Sequence, residues 1–252
     1  MTSVKKRRAV VLVIVLALVV GLVSGCAEAE QEPVDGFITI KGQQISVDVT
    51  ELTLGGCDNN DIKLLKWLTN IEKLSLNNGW ISDLTPLSAL SALTKLELFN
   101  NRIKNITPLL QLTNLSMLNL ASNQISDMTP LSSLTCLTFL SLNQTQISDL
   151  TPLSALTNLT YLSLSHNRIS DLTPLSALTS LTCLSLDSNK VSELAPLSSL
   201  TNLKSLYLYD NEISDLTPLF SLKLESLGLN GNPLTKQQIA DLQLALLCRI
   251  YF

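Results

Sequence analysis

From about residue 52 to residue 234, one pattern of hydrophobic and polar positions recurs. It reads x-L-x-L-x, a short polar stretch with an Asn three residues after the second leucine, an Ile or Val two residues later, and then T-P-L-x-x-L. The period is 22 residues, marked by Pro86, Pro108, Pro130, Pro152, Pro174, Pro196 and Pro218. The leucine pairs, such as Leu96/Leu98 and Leu162/Leu164, alternate with their polar neighbours, which predicts short strands with leucine inward. Nine pairs can be read, from Leu52/Leu54 to Leu227/Leu229. Stacked in parallel at roughly 4.8 Å per strand, they predict a sheet about 38 Å long.

The remaining positions of the frame each have a physical task. Asn101, Asn123, Asn167, Asn189, Asn211 and Asn232 form a polar column, with Cys57, Gly79 and Thr145 as exceptions. A buried amide is useful where the chain leaves a strand, because it both donates to and accepts from backbone groups that would otherwise be orphaned. Ile103, Ile125, Ile147, Ile169, Val191 and Ile213 then return to the core. In T-P-L-x-x-L, Thr85, Thr107, Thr129, Thr151, Thr173 and Thr217 are expected at the N-cap, with proline at the first helical position. Only Ala195 breaks that series. Full α-helices need 8 to 10 Å each, so turns stacked at strand spacing are expected to be short and 3₁₀. The chain therefore predicts an α/β solenoid, an arc with a parallel concave sheet and short convex turns, folding as one elongated domain.

Two flanks depart from the frame. Residues 37–51 alternate around Lys41-Gly42-Gln43-Gln44 and predict a β-hairpin covering the first repeat. Between Cys57 and Leu68, Asp58 or Asn60 is a candidate cap for a true helix through Ile62, Leu65 and Leu68, on which Trp67 is expected to pack; Trp80 is either packed on that flank, the favoured reading, or exposed at the rim. Residues 235–252 open with Thr235 and Gln238 in capping-box relation and predict a helix followed by a final strand, Cys248 to Phe252. With both flanks present, the solenoid is expected to be complete.

The repeated frame resembles the leucine-rich repeat pattern L-x-x-L-x-L-x-x-N-x-I, in the 22-residue bacterial form of the internalins. The resemblance runs from Leu52 to Leu234. It implies a leucine-rich repeat arc that binds a protein on its concave face. The LPxTG wall-sorting motif, the immunoglobulin-like domain and the C-terminal anchoring modules of the internalins are not found here, so the resemblance does not carry a role in host-cell invasion.

Residues 1–25 read as an export signal: Lys5-Lys6-Arg7-Arg8 precedes an apolar run from Ala9 to Val20 that is short for a spanning helix. Val23-Ser24-Gly25-Cys26 resembles the bacterial lipobox, which implies cleavage before Cys26 and lipidation of its thiol. An uncleaved anchor helix from Ala9 to Val23 stays open. On either reading the repeats lie outside the cytoplasm, and a doubly or triply acylated Cys26 anchors them firmly to a membrane. Residues 26–36 are acidic and read as a flexible tether. Net charge is −4, and setting aside the four basic residues at 5–8 leaves 13 bases against 21 acids, or −8, which argues against nucleic acid as a partner.

Candidate chemistry is sparse. His166 is the one histidine, the acids Glu97, Asp187 and Asp210 are scattered over different repeats, and no phosphate loop is present, so no enzyme activity, catalytic residue, metal or cofactor is expected. Cys57, Cys136, Cys183 and Cys248 fall on different turns and are expected as free thiols. Of nine Phe and Tyr residues, five occupy outward strand positions: Phe99, Phe139, Tyr161, Tyr207 and Tyr209. Exposed aromatics on an open sheet lack a folding reason and supply contact area at interfaces. With Lys95, Glu97 and Asp187 they form the expected ligand site on a monomer. The serine and asparagine columns leave an alternative, glycan binding or an architectural role in the envelope.

Overall fold

The computed structural model describes residues 32–245 and 249–251. The expected export signal, Cys26, the first part of the tether and Cys248 lie outside the described residues. The chain opens with an antiparallel hairpin of β1 (Phe37–Ile40) and β2 (Gln43–Ser46). Its turn is two residues, Lys41 and Gly42, with φ of 52° and 77°. Two positive φ values in succession give a twist that suits a hairpin. Ile38, Ile40 and Ile45 are buried against the first turn of the solenoid.

Ten parallel strands follow in one sheet, each neighbour in sequence also its neighbour in space. They are β3 (Glu51–Thr53), β4 (Lys73–Ser75), β5 (Lys95–Glu97), β6 (Met117–Asn119), β7 (Phe139–Ser141), β8 (Tyr161–Ser163), β9 (Cys183–Ser185), β10 (Ser205–Tyr207), β11 (Ser226–Gly228) and β12 (Arg249–Tyr251). The register is set by leucine: Leu52, Leu74, Leu96, Leu118, Leu140, Leu162, Leu184, Leu206 and Leu227 pair in one row that ends at Ile250. From Leu74 to Leu227 these leucines are at most 1% exposed, forming one continuous core the length of the stack. A slip of one residue would turn that row to solvent, so burial fixes the register.

Each strand is only three residues long because the chain turns sharply soon after it. Asn78, Asn100, Ser122, Gln144, His166, Ser188 and Asp210 all have φ between 52° and 59°, and Gly56 and Gly231 hold the same place at the two ends. Left-handed backbone costs a residue with a Cβ roughly 1–2 kcal/mol. The turn it makes points the next residue inward, and that residue is the column Asn. Asn101 Nδ2 donates to Leu76 O (2.8 Å) and Leu98 O (3.1 Å), while its Oδ1 accepts from Ile81 N (3.1 Å). Asn123, Asn167, Asn189 and Asn211 repeat that set. At the exceptions the ladder adapts. Thr145 has only a hydroxyl, donating to Leu142 O at 2.7 Å, and the following Gln146 takes φ of 66°. At Gly79 a side chain is excluded, since a Cβ would stand 2.4 Å from Cys57 O.

The convex turns are 3₁₀, three to five residues each from Thr85–Leu87 to Thr217–Leu219. The expected threonine N-cap is corrected: threonine is the first residue of the turn, and the residue before it, such as Leu84 or Leu150, holds the N-cap place without a side-chain capping bond. The capping acceptor is two residues upstream of threonine. Asp83, Asp127, Asp149, Asp171 and Asp215 accept the threonine N–H at 2.8–2.9 Å, and Asn105 does the same for Thr107. An Asx turn of this kind needs an acceptor with a short side chain, which is why Asp recurs there.

The expected α-helix after Cys57 is also corrected. Asp61–Trp67 is a 3₁₀ helix, because the layer spacing that narrows the later turns applies here too. Its acceptor is Asp58, whose Oδ1 takes N–H bonds from Asn60 and Asp61; Asn60 provides none. Trp67 is packed against the core, whereas Trp80 stands 66% exposed. The expectation that Trp80 packs on this flank fails because it stands one residue past the buried column, in the place held by Arg102, Gln124 and Lys190, which is exposed at the rim. At the far end α1 (Lys236–Ala245) begins at Thr235, with Thr235 N donating to Gln238 Oε1 at 2.8 Å and Gln238 N to Thr235 Oγ1 at 3.3 Å. Strand β12 then extends the sheet beside β11.

Candidate concave recognition face

Three outward positions per turn build the concave face, and the strand register lays them out as three columns. The first column runs Lys73, Lys95, Met117, Phe139, Tyr161, Cys183, Ser205. The second runs Ser75, Glu97, Asn119, Ser141, Ser163, Ser185, Tyr207, Gly228, Tyr251. The third, one step past the strands, holds Asn77, Phe99, Ala121, Asn143, Ser165, Asp187 and Tyr209.

The first third of the face is charged but internally neutralised. Lys73 pairs with Glu51 at 2.7 Å and Lys95 with Glu97 at 2.8 Å. Glu97 also accepts from Ser75 Oγ and Asn77 Nδ2. The bond from Lys95, opposed by partial burial and helped by Ser75 and Asn77, holds the Glu97 carboxyl below the usual range. Lys95 and Glu97 are thus together, and each is already engaged by the other.

The five expected aromatics resolve into two pairs and a single ring. Phe139 and Tyr161 stack face to face, centroids 4.4 Å apart and planes within 5°. Tyr207 and Tyr209 lie 6.3 Å apart at 21°. Phe99 stands alone, 38% exposed, in another column and two strands from Phe139. Parallel in-register pairing of strands one rise apart makes the first stack nearly unavoidable. The second pair depends on Gly228. A Cβ there would lie 2.4 Å from Tyr209 Cζ, so the ring of Tyr209 covers the glycine and fills the gap between Tyr207 and Tyr251. Burial, then the charges of Asp187, Tyr207 and Tyr251, push the Tyr209 hydroxyl above its ordinary pKa.

Between the aromatic groups lies a floor of small polar residues. Ser141, Ser163 and Ser165 are 4–7% exposed. Ser163 Oγ donates to Asn143 Oδ1 at 2.8 Å, and Ser165 Oγ and Ser185 Oγ are 2.7 Å apart. Asp187 closes this network: Oδ2 accepts from Ser185 (3.0 Å) and Ser165 (3.3 Å), and Oδ1 accepts the Tyr209 N–H at 3.0 Å. Asn77 and Asn143 likewise accept the N–H of Phe99 and Ser165. The amide ladder occupies the carbonyls that these N–H groups would otherwise face. Asp187 therefore supports the sheet as well as facing the concavity. Its sequence signal is the shared column with Asn77 and Asn143, a scaffold signature. Tyr251, which the sequence places only within a closing strand, is a further exposed ring on this face.

Outside this face, His166 is exposed at the rim. Cys57, Cys136 and Cys183 are free thiols, and burial pushes the thiols of Cys57 and Cys183 up in pKa. Among the described residues, no group of three or more His, Cys, Asp or Glu is placed to hold a metal.

Comparison with known proteins agrees with this architecture. Five overlapping matches to the family described as leucine rich repeats (2 copies) cover residues 91–133, 113–155, 135–177, 157–199 and 179–221. No curated protein matches the chain in sequence. Among solved structures, internalin C2 of Listeria monocytogenes is similar at 39% identity over 75% of this chain and 86% of its own, with a TM-score of 0.70. Internalin F of the same organism is similar at 32% identity over 83% and 70%, with a TM-score of 0.68. A leucine-rich repeat protein of Leptospira interrogans is similar at 30% identity over 75% of this chain and 51% of its own, with a TM-score of 0.71. Proteins of this fold are typically protein–protein recognition scaffolds rather than enzymes. With its 22-residue frame, amide ladder and parallel sheet, the chain belongs to the leucine-rich repeat family.

Proposed function

We propose that this chain is an exported lipoprotein, held to the cell membrane through Cys26, that binds a protein partner against its concave sheet. The observation that carries the reading is the pair of half-buried, stacked ring clusters, Phe139/Tyr161 and Tyr207/Tyr209, standing outward on a sheet whose leucines already complete the core. The core is complete without those rings, and burying their open surface against a partner supplies the large, rigid contact areas that dominate protein interfaces. The internalin relatives support the reading as proteins of like fold. Glycan binding on the same face is disfavoured by the serine floor, whose hydroxyls are engaged with Asn143, Asp187 and one another.

The test is capture of the natural partner by the wild-type protein, followed by the double variant Tyr161→Ala/Tyr207→Ala. Loss of the captured protein with an unchanged melting curve supports the reading; undiminished capture refutes it. Export and anchoring are tested separately. Metabolic labelling with an alkyne fatty acid should mark the wild-type protein and not Cys26→Ser, and equal labelling of both would remove Cys26 from the proposal.

A further inference from the structure

One repeat departs from the frame on the flank, away from the concave face. In the place where the other repeats carry Ser82, Ser126, Ser148, Ser170, Ser192 and Ser214, this one has Lys104. In the next place, which elsewhere holds Asp83, Asp127, Asp149, Asp171, Glu193 and Asp215, it has Asn105. Asn105 still accepts the Thr107 N–H at 2.9 Å, so the scaffold bond is kept while its negative charge is absent. Arg102 is in the same repeat. Arg102 and Lys104 make no ion pair among the described residues, whereas Lys73, Lys95 and Lys204 each pair with a glutamate.

These changes converge on one cleft of about 390 Å³ lined by Ser82, Arg102, Lys104, Asn105 and Gln124. At its edge stands Trp80, the most exposed aromatic among the described residues at 66%, with the Arg102 guanidinium 5.7 Å from its ring centroid. One ring face packs on Arg102, and much of the rest is open to solvent. A cleft lined by two cations and three neutral side chains, with an exposed indole against one of the cations, matches a sugar ring bearing an acidic substituent. The apolar face of the sugar lies on the open part of the indole, the cations take the anion, and Gln124 and the Nδ2 of Asn105 take hydroxyls, since Asn105 Oδ1 and Ser82 Oγ already accept from Thr107 N and Asn59 Nδ2. Asp83 and Asp127 flank the cleft on the neighbouring repeats, so it suits one isolated anionic group rather than a polyphosphate backbone.

We propose that the flank cleft lined by Ser82, Arg102, Lys104, Asn105 and Gln124, with Trp80 adjoining it through Arg102, is a second binding site, for an anionic saccharide, independent of the concave face. The experiment titrates the full chain with trigalacturonate or galactose 6-phosphate and follows tryptophan emission. Galactotriose, inorganic phosphate and oligo-dT serve as comparison arms, distinguishing a neutral sugar, a bare ion and a nucleic acid. A saturable emission change with at least one anionic sugar is expected, weakened about tenfold or more in Arg102→Gln/Lys104→Gln, since each charge-assisted bond is worth roughly a factor of ten. Trp80→Phe should abolish the signal and weaken binding measured by calorimetry. Lys190→Gln and the concave variant Tyr161→Ala/Tyr207→Ala should leave it intact, and all variants should melt as wild type. Lys104→Glu alone provides the same test if the double variant is unstable. No saturable change, equal affinity for galactotriose or phosphate, tighter binding of oligo-dT, or an equal loss in Lys190→Gln would overturn the proposal.

Discussion

Asn123→Ala and Asn189→Ala make the same chemical change in the same column, yet the structure assigns them different costs. Both asparagines are buried, at 4% and 9% exposure. In each variant one backbone donor is orphaned: Ile103 N loses Asn123 Oδ1, and Ile169 N loses Asn189 Oδ1. The carbonyls differ. The carbonyls that Asn189 serves, Leu164 O and Leu186 O, are also served by Asn167 and Asn211. Among the described residues, Leu120 O is served only by Asn123, because Thr145 on the next turn has no amide to reach back to it. An orphaned buried group costs about 1–3 kcal/mol. Asn189→Ala should therefore lose about 1–3 kcal/mol, and Asn123→Ala about 2–5 kcal/mol from two orphaned groups. Urea unfolding followed by far-ultraviolet circular dichroism, with the m-value monitored for two-state behaviour, measures both. Asn123→Thr, which places a Thr145-like hydroxyl near Leu120 O, should recover part of the difference. Equal destabilisation by the two alanine variants would refute the carbonyl accounting and mean that column volume, rather than hydrogen bonding, sets the cost.

Gly79→Ala places a Cβ 2.4 Å from the backbone Cys57 O and should cost about 1–3 kcal/mol in the same assay. Gly228→Ala instead meets the tip of the Tyr209 ring, which can swing aside, so stability should hardly change while partner capture falls; a large stability loss would contradict that geometry. The hydrogen bonds from threonine, its side chain first and its backbone N–H second, hold Asp127, Asp149, Asp171 and Asp215 below the ordinary value of 3.8. Because the unfolded state then binds protons more readily, their stabilisation is present above 3.8 and is lost as pH falls through the lowered native values. Asp149→Asn should keep the turn, as Asn105 does, and flatten the acid limb of the melting temperature against pH; an unchanged limb would count against these aspartates as its source. Asp187→Asn keeps an acceptor for Tyr209 N but removes a charge, so the Tyr209 hydroxyl should titrate lower by ultraviolet difference absorbance, though still above 10.0 because burial is the larger cause.

The repeated frame alone determined the strands, their order, their parallel register and the Asn ladder, because a period of 22 residues, 21 in the last turn, leaves each turn only one way to bury two leucines against the next. Alternation likewise placed Phe139 and Tyr161 side by side on an outward column. Other features were decided in three dimensions, where bonds run between turns that the period treats as identical. Threonine gave way to aspartate as the capping partner because the acceptor is chosen by local backbone geometry, and the expected α-helix after Cys57 became 3₁₀ because its neighbouring layer is too close. Trp80 turned outward, Asp187 joined the support of the sheet, and Tyr209 settled over Gly228, each according to what the adjacent repeat carries. Periodicity tells which residues share a column; only the packed stack decides which of them touch and which remain open to a ligand.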